Sequence, residues 1–525
     1  MSVASSALPP HAVITGDVGG TSARMQVWML RRCVACHTQP TPAHASRADE
    51  SKDDPAACVM CTHPYFSRVY SSKSFRSLSL LIQRVLLDAS GPVNDKTHAH
   101  ATGCECCGSG CRSTVDGTAA FCAGNTCPAL ASRAGEHVVC VSSACVAVCG
   151  PVLDGHVYAE NLEWDEHTHA VQATTGIPHV DVLNDFMALG LGLTELALPP
   201  AAGDSADAKP ASTTALVTAG VVTLHAARRL HGKPMTAIGA GTGLGAVHLT
   251  FEFDNKGSRG QYVPWPSEGG MARFTAQSQL EWDLSCFIAQ KSGDDHVETE
   301  HVVSGQVRCD KRAVCMWTCC QLGVCVRACV CACVATQGIA NVYDFLSSTH
   351  PEDVNAAVHV AVSAAGVDAP AAIAAAATSD PPDPLCVRTL EVFLEAYFAE
   401  AGSTACRNLP YGGLFLTGGV TSKLAKFIFA DKDRLERLVA RYLHVGARGG
   451  VLSDVIKHVP LYLVTDEDLG RKGAVIQAQR HVSGMCRHVP SPAASSKAGP
   501  QAAGAQAVAV AAAAAGAGAP TESMS

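Results

Sequence analysis

The sequence predicts an α/β protein of two domains, in which mixed sheets are flanked by helices. The chain of 525 residues is long enough for two domains with large buried cores. Apolar, strand-like runs alternate with stretches of helical periodicity over most of its length. Three of these runs end at glycine-rich turns, where backbone N–H groups can approach a phosphate without hindrance from a Cβ atom.

The N-terminal part of the chain is predicted to form strands and one clear helix. Predicted strands lie within 11–30, where two runs meet at a Gly-Gly turn, and within 65–75 and 137–152. The segment LSLLIQRVLLDA (78–89) has the apolar spacing of an amphipathic helix. From residue 180, a further strand is predicted to end at Asn184-Asp185 and to continue as a helix.

The C-terminal part repeats the pattern of strand, glycine turn and following element. Residues 236–253 are predicted to form a strand, a glycine-rich turn and a second strand, and residues 412–429 a strand, a Gly-Gly turn and a helix. An alanine-rich helical region covers about 352–405. Glycine turns therefore follow apolar strands at three separate places in the chain.

Several segments without periodicity interrupt these elements. We interpret 31–62, 91–135 and 307–337 as insertions, because they are rich in polar residues, in glycine and cysteine, or in alternating cysteine, valine, alanine and arginine. Residues 484–525 are low in complexity and are predicted to form a disordered tail.

Composition and charge narrow the class of protein. The net charge of −8 without a basic run argues against nucleic acid or an anionic membrane as a partner. The start, MSVASSALPPHAVITG, lacks the charged and apolar regions of a secretory signal, so we expect a cytoplasmic protein, with organelle targeting left open. The odd total of 25 cysteines is more typical of reduced thiols than of a disulfide framework.

The glycine turns do not match the common nucleotide-binding loops. The chain contains no G-x-x-x-x-G-K-[ST] motif. Gly241–Ala246 fits a loosened dinucleotide pattern, but strand-like sequence follows it, whereas that site needs a helix N-terminus for the pyrophosphate. A Gly-Gly after a strand is also common in ordinary tight turns, so each turn alone is weak support for phosphate binding.

Six motifs in order resemble those of the bacterial-type glucokinase family, which belongs to the hexokinase and actin-like kinases. They are GDVGGTSAR (16–24), LNDF (183–186), GAGTGLG (239–245), SEGG (267–270), EHVVSG (300–305) and GGLFLTGGV (412–420). Residues 455–474 resemble the family's closing strand and helix. The resemblance covers roughly 12–30, 63–90, 137–305 and 338–482.

The resemblance implies a two-domain actin-like, or ribonuclease H-like, kinase fold. The small α/β domain would comprise 12–195 with a helix at 465–483 returning to it, and the large α/β domain 196–464. ATP would lie between the domains with the sugar at the base of the cleft. The implied reaction, at the entry to glycolysis, is ATP-dependent phosphorylation of glucose at the 6-hydroxyl, and a homodimer is compatible with it.

The resemblance also assigns roles to individual residues. Asp185 would be the catalytic base, Asn184 a sugar ligand, and Glu268 and Glu300 the carboxylates that accept hydrogen bonds from sugar hydroxyls. Without the resemblance, Asn184-Asp185 would suit a helix N-cap. ATP and Mg²⁺ would bind at the three glycine turns. Asp17 would hold Mg²⁺–ATP through water, so no residue would bind the metal directly. The residues of this site are Gly16, Asp17, Gly19, Gly20, Thr21, Gly241, Thr242, Gly243, Gly418 and Gly419.

One departure from the family pattern leaves alternatives open. After SEGG the family usually has His, one residue and Asp, whereas this chain has MARF, and Met271 cannot hydrogen-bond a sugar hydroxyl as imidazole can. A kinase for another hexose, or a sugar-binding sensor without turnover, therefore remains an alternative. Two Cys-x-x-Cys pairs, Cys33/Cys36 and Cys58/Cys61, have near zinc-ribbon spacing, although the kinase reaction needs no such site.

The cysteine-rich segment 307–337 has the composition of a translated GT-rich nucleotide repeat, because such codons encode Val, Cys, Arg and Ala. A membrane span is disfavoured by Arg327 in its centre. Removing the segment gives SGQGIANVYDFL, which resembles the family's uninterrupted sequence. We therefore expect a retained intron or a gene-model error that adds a loop.

Overall fold

The computed structural model describes residues 11–31, 59–60, 64–90, 120–121, 128–131, 138–159, 162, 164–196, 217–218, 220–253, 260–305, 338–444 and 451–482. The predictions for the segment 307–337, for the tail 484–525 and for a zinc site at Cys33, Cys36, Cys58 and Cys61 lie outside these residues. The described residues form two mixed sheets with flanking helices, as the sequence predicts.

The first sheet is built around three parallel strands. Its order is β3-β2-β1-β7-β6-β5, with β4 paired to β2 and β11 paired to β7. The strands are β1 (His11–Val18), β2 (Ser22–Arg31), β3 (Val59–Met60), β4 (Phe66–Ser71), β5 (Ala120–Phe121), β6 (Pro128–Ala131), β7 (Val138–Val148) and β11 (His179–Asn184). β1, β7 and β11 run parallel to one another, so their carboxyl ends share one edge of the sheet. A small sheet next to it contains β8 (Val152–Leu153), β9 (His156–Ala159) and β10 (Trp164–His167).

The second sheet has the order β12-β13-β18-β17-β14-β15-β16. Its strands are β12 (Val217–Thr218), β13 (Val221–His225), β14 (Met235–Ala240), β15 (Leu244–Phe253), β16 (Gly260–Ser267), β17 (Leu414–Thr417) and β18 (Leu461–Val464). β14, β17 and β18 are parallel, and their carboxyl ends also lie at one edge. Both sheets thus present the ends of parallel strands, where α/β proteins bind their ligands.

Twelve α-helices lie in the described part of the chain. They are α1 (Leu78–Ser90), α2 (Thr168–Thr175), α3 (Asp185–Leu193), α4 (Gln279–Ser292), α5 (Gly338–Thr349), α6 (Ala356–Ala365), α7 (Ala369–Ala377), α8 (Pro384–Asn408), α9 (Gly419–Phe429), α10 (Lys432–Leu443), α11 (Val451–Ile456) and α12 (Leu469–Val482). The stretch Ala356–Ala377, comprising α6, α7 and the turn between them, is long and apolar enough to cross a bilayer by length and composition alone. α7 packs against α8, as a helix of a soluble core also does.

The long helix α8 organises the core on one face of the second sheet. Asp383 caps its start by accepting a hydrogen bond from the Cys386 N–H at 2.9 Å, and Pro384 occupies its first position. The buried Tyr397 hydroxyl donates to the Ile238 carbonyl at 3.1 Å, which ties α8 to β14. Opposite charges also pair inside this region, where Arg441 of α10 donates to the buried Glu281 of α4.

Helices α3 and α12 lie between the two sheets. Ala188 and Leu191 of α3 pack with β1, β7 and α12, while Leu193 packs against β14, β15 and β17 of the second sheet. Glycines allow the close approach: a Cβ atom on Gly473 of α12 would lie 1.6 Å from the Ala188 carbonyl oxygen. The helix that begins at Asp185 is therefore fixed by both sheets at once.

The structure differs from the sequence-based expectation at three places. The predicted strand 65–75 ends at Ser71, and a 3-10 turn follows. Within the predicted insertions, Val59–Met60 extends the first sheet beside β2, and β5 and β6 pair near the start of β7. Since β11 covers only Ser143–Val148 of β7, the earlier part of that strand edge needs another partner, and β6 supplies it.

Candidate active site

The carboxyl ends of β1, β7 and β11 bring Asp17 and Asn184 to the same edge of the first sheet. In the strand register, Val18 lies beside Val148, and Val148 lies beside Asn184. Because neighbouring strands are ~4.8 Å apart, the backbones of these two site segments are separated by about 10 Å. The first glycine turn and Asp185, the candidate base, therefore lie at the same edge of the first sheet.

The first glycine turn is a tight connection between β1 and β2. The Gly19 N–H donates to the Ser22 carbonyl at 2.9 Å, and the Ser72 N–H donates to the Thr21 carbonyl at 3.2 Å. Gly16, also predicted as a site residue, is buried, and a Cβ atom there would lie 2.4 Å from the Met25 Sδ. A side chain at 16 would thus have to displace the end of the Met25 side chain, whereas the turn itself reaches the surface at Thr21.

The carboxylate of Asp17 lies next to the start of α12 and is surrounded by charges. A Cβ atom on Gly470 would lie 3.6 Å from its Oδ2, so α12 approaches it with the positive end of its dipole. Burial raises the pKa of the Asp17 carboxyl, Arg24 opposes this shift, Asp468 adds to it, and Arg471 opposes it. Arg471 in turn donates to Asp468 at 3.0 Å, and Arg24 lies 3.8 Å from the same carboxylate.

The Asp17 carboxylate, with Asp468 nearby, suits water-mediated binding of Mg²⁺. Mg²⁺ prefers oxygen ligands and usually keeps several waters, so it needs few protein ligands when phosphates are present. The structure therefore fits the expectation from the sequence that Asp17 would hold the ion through water.

Asn184 and Asp185 form the start of α3. The Asn184 Oδ1 accepts hydrogen bonds from the Phe186 N–H at 2.9 Å and the Met187 N–H at 3.4 Å, which makes Asn184 the N-cap. Its Nδ2 donates to the Gly150 carbonyl at 3.1 Å. The cap interpretation is thus confirmed, and the cap rigidly orients the neighbouring Asp185. Asp185 is the first residue of the helix, where the helix dipole favours a negative charge.

The second glycine turn connects β14 and β15, as predicted, and is held by Glu300. The Gly241 N–H donates to the Gly243 carbonyl at 2.8 Å, and the Gly305 N–H donates to the Gly241 carbonyl at 2.8 Å. Glu300 is only 6% exposed, and its Oε2 accepts a hydrogen bond from the Leu244 N–H at 3.1 Å. A Cβ atom on Gly243 would lie 2.4 Å from that oxygen, so glycine makes room for the carboxylate.

The SEGG turn lies beside the same carboxylate. A Cβ atom on Gly270 would approach the Glu300 Oε2 to 3.0 Å. Glu268 precedes the 3-10 turn Gly269–Met271 and is exposed, and its carbonyl accepts from the Met271 N–H at 3.1 Å. Met271 is 45% exposed at the end of this turn. The two predicted sugar carboxylates therefore belong to neighbouring turns, one buried and one exposed.

The third glycine turn packs on the second. Gly418 has φ of +91°, and a Cβ atom there would lie 2.5 Å from the Ala240 carbonyl oxygen. By contrast, a Cβ atom on Gly241 or Gly419 would meet no protein atom within 4 Å. Packing therefore explains glycine at 418 but not at 241 or 419. Glycine at those two positions fits a site where a phosphate or nucleotide approaches the backbone.

Reasoning from the sequence missed the charged residues around Asp17 and the contacts of Phe186 with the second sheet. Arg24 pairs with Asp17 across β1 and β2, which a hairpin register could have indicated. Arg471 and Asp468 come from the far end of the chain, so no local pattern could have placed them there. Phe186 is apolar, so its residue type suggests no catalytic role. Only the residues that it contacts in the fold draw attention to it.

The described residues on either side of the gap 306–337 lie next to each other. The Gly338 N–H donates to the Ser304 Oγ at 3.0 Å, and the Ile339 N–H donates to the Ser304 carbonyl at 3.1 Å. If 307–337 were removed, Ile339 would be the fourth residue after Ser304. These contacts are then the N-cap bond and the first backbone bond of an α-helix in correct register.

Comparison with known proteins identifies the relatives of this chain. The family model described as "Glucokinase" matches residues 123–202, 205–307 and 326–481. Curated glucokinases from Nostoc punctiforme and Synechocystis are 29% and 28% identical over 346 and 318 residues, covering 64% and 57% of this chain and 82% and 74% of theirs. The match to the family model begins after the first glycine turn, so the role of Asp17 does not rest on it.

Solved structures show the same fold. A glucokinase from an Antarctic psychrotroph superposes with a TM-score of 0.50 at 20% identity, over 90% of this chain and 98% of that one. A glucokinase from Balamuthia mandrillaris, solved in complex with glucose, superposes with a TM-score of 0.50 at 14% identity, over 90% and 94% of the two chains. These likenesses support the actin-like kinase architecture of two sheets flanked by helices.

Proposed function

Because the chain belongs to the glucokinase family, we propose that it transfers a phosphoryl group from ATP to the 6-hydroxyl of glucose, giving glucose 6-phosphate and ADP. The main support for this function is that the candidate base, Asp185, lies close to the glycine turns at the ends of parallel strands. Asp185 and the first turn share one sheet edge, and Phe186, the residue after the base, touches the strands that flank the second turn.

Asp185 is proposed to accept the proton of the sugar 6-hydroxyl as that oxygen attacks the γ-phosphate. Its place at the start of α3, next to the N-cap Asn184, puts the carboxylate where the helix dipole favours a negative charge. Phosphoryl transfer depends mainly on positioning and on electrostatic stabilisation. The rigid attachment of α3 to both sheets supplies that positioning.

The three glycine turns are proposed to hold the nucleotide. The backbone at Gly19, Gly20, Thr21, Gly241, Thr242 and Gly243 would lie against its phosphates, and Gly418 and Gly419 against its adenosine. Bound Mg²⁺ would neutralise phosphate charge. Asp17 would hold it through water, and the nearby Arg24 and Arg471 guanidiniums oppose the effect of burial on the pKa of that carboxyl.

Sugar binding is proposed to use Asn184, Asp185, Glu268 and Glu300. The second amide hydrogen of Asn184 is a donor for a sugar hydroxyl, since the first already serves the Gly150 carbonyl. Glu268 and Glu300 are acceptors on neighbouring turns. No specific observation favours the alternatives of another hexose or a sensor. A cytoplasmic location and a homodimer stay as proposals.

Met271 is expected to weaken glucose binding, because a thioether cannot replace an imidazole as a hydrogen-bond partner. We expect Met271→His to lower the KM for glucose about 5- to 150-fold, corresponding to about 1–3 kcal/mol for a restored polar contact. Steady-state kinetics with varied glucose measures the effect. Met271→Leu is the control, and an unchanged KM in Met271→His contradicts the idea.

The function is tested by coupled ATP-dependent glucose phosphorylation, comparing the full chain with a variant lacking 307–337. We expect the shortened chain to be active, because Ser304 then caps α5 in the correct register. A variant lacking 308–337 is the matched control, since one extra residue shifts that register. We expect it to unfold at a lower temperature.

Each outcome of this comparison has a distinct meaning. Activity only in the shortened chain would mean that 307–337 is a sequence artefact inside a genuine kinase. Equal activity would make it a tolerated insertion. Inactivity of both chains across several hexoses would contradict the proposed kinase function and favour the sensor.

A further inference from the structure

The ring of Phe186 occupies a hollow in the second sheet directly below the second glycine turn. A Cβ atom on Gly245 would lie 1.9 Å from the Phe186 Cε2, and one on Gly239 would lie 2.8 Å from its Cζ. Gly239 and Gly245 face each other in the register of β14 and β15. They flank the turn Gly241–Gly243 on both sides, so the ring lies against the base of that turn.

The backbone N–H of Phe186 is hydrogen-bonded to two residues of the proposed sugar site. Its N–H donates to the Asn184 Oδ1 at 2.9 Å and to the Asp185 Oδ1 at 2.9 Å. One residue thus contacts the base candidate through its main chain and, through its ring, the two strand positions that flank the second glycine turn. Few rotatable bonds lie between these two contacts, so a shift of one transmits to the other.

We propose that Phe186 is a positioning residue, which fixes the distance between the Asp185 carboxylate and the second phosphate turn. The glycines at 239 and 245 form the hollow that receives its ring. This inference rests on the proposed kinase function, and it assigns Phe186 no contact with substrate. A ring of this size, locked between two strands, holds α3 at one depth against the second sheet.

If Phe186 were only a core residue, its substitution would have different effects on stability and activity. Phe186 is half-buried and packs with a cluster that includes Val247, Phe415 and Tyr462. If it only filled space, its removal would lower stability and change activity no more than removal of another ring in the cluster. The fully buried Phe415, which stacks on Tyr462, provides that comparison.

The test is a cycle of four proteins: the wild type, Phe186→Ala, Gly245→Ala and the double variant, with Phe415→Ala as control. In Phe186→Ala we expect kcat to fall roughly 10²-fold with little change in the KM for ATP, as a small misplacement of reacting groups does. Phe186→Leu, which keeps part of the ring volume, should lose less. Phe415→Ala should lower the melting temperature by at least as much while retaining most of kcat.

The double variant separates the contact from a general loss of stability. Gly245→Ala alone should lower both the melting temperature and kcat, because its methyl group meets the ring. Adding Phe186→Ala removes that clash, so the double variant should melt no lower than Phe186→Ala. If the losses of melting temperature in the double variant were additive, the ring of Phe186 would not pack against Gly245. If Phe415→Ala lost as much kcat as Phe186→Ala, the positioning role of Phe186 would be refuted. An inactive but folded wild type would refute the proposed function instead, and the melting-temperature cycle would still report the contact.

Discussion

Replacing Asp185 by asparagine is expected to lower kcat for glucose phosphorylation by about 10²–10⁴-fold, the usual contribution of a general base. Asparagine preserves the shape of the side chain but cannot accept the proton of the 6-hydroxyl. The N-cap of α3 belongs to Asn184, so the helix itself should form normally. The measurement is kcat by coupled assay, together with glucose binding by calorimetry, which we expect to change little.

The control for this experiment is Asp181→Asn, on the strand β11 that leads into α3. The Asp181 carboxylate accepts a hydrogen bond from the Gln477 Nε2 of α12 at 2.9 Å, on the strand before the site. An amide can also accept that bond, so kcat should remain near the wild-type value. Retention of more than a tenth of kcat in Asp185→Asn would contradict the assignment of the base.

Removal of the Glu300 carboxylate is expected to have the largest effect on sugar affinity. Glu300→Ala leaves the buried Leu244 N–H without its acceptor and removes a proposed sugar ligand. A hydrogen bond to a charged group contributes about 1.5–3 kcal/mol, which corresponds to about a 10- to 150-fold rise in the KM for glucose. We expect the melting temperature to fall as well, because the second glycine turn loses its anchor.

Glu268→Ala is the matched control for Glu300→Ala. Glu268 is exposed, so its loss should raise the KM for glucose without a comparable fall in melting temperature. Kinetics with varied glucose and a thermal melt on each variant measure both effects. An unchanged KM in Glu300→Ala, with lower stability, would make Glu300 a structural residue only.

The elements that bear the site could be predicted because their signals are local. The strand ending at Asn184, the helix after it and the glycine turns after β1, β14 and β17 all follow from patterns within about twenty residues. Apolar periodicity and glycine position specify such elements directly. β5 and β6 were missed because four or fewer residues without alternation carry no strand signal; β6 forms on the edge of β7, and β5 in turn pairs with β6.

The sequence by itself determined the family, the order of the site motifs and the residue types that the chemistry needs. Tertiary structure alone decided which residues surround them. Arg471 and Asp468 reach Asp17 from the end of the chain, and Ser304 meets Gly338 across 307–337. Phe186 of α3 meets Gly245 of β15, which lies far from it in the sequence. The physical reason is that motifs reflect local backbone chemistry, whereas burial, charge neighbourhood and close packing depend on residues that are distant in sequence.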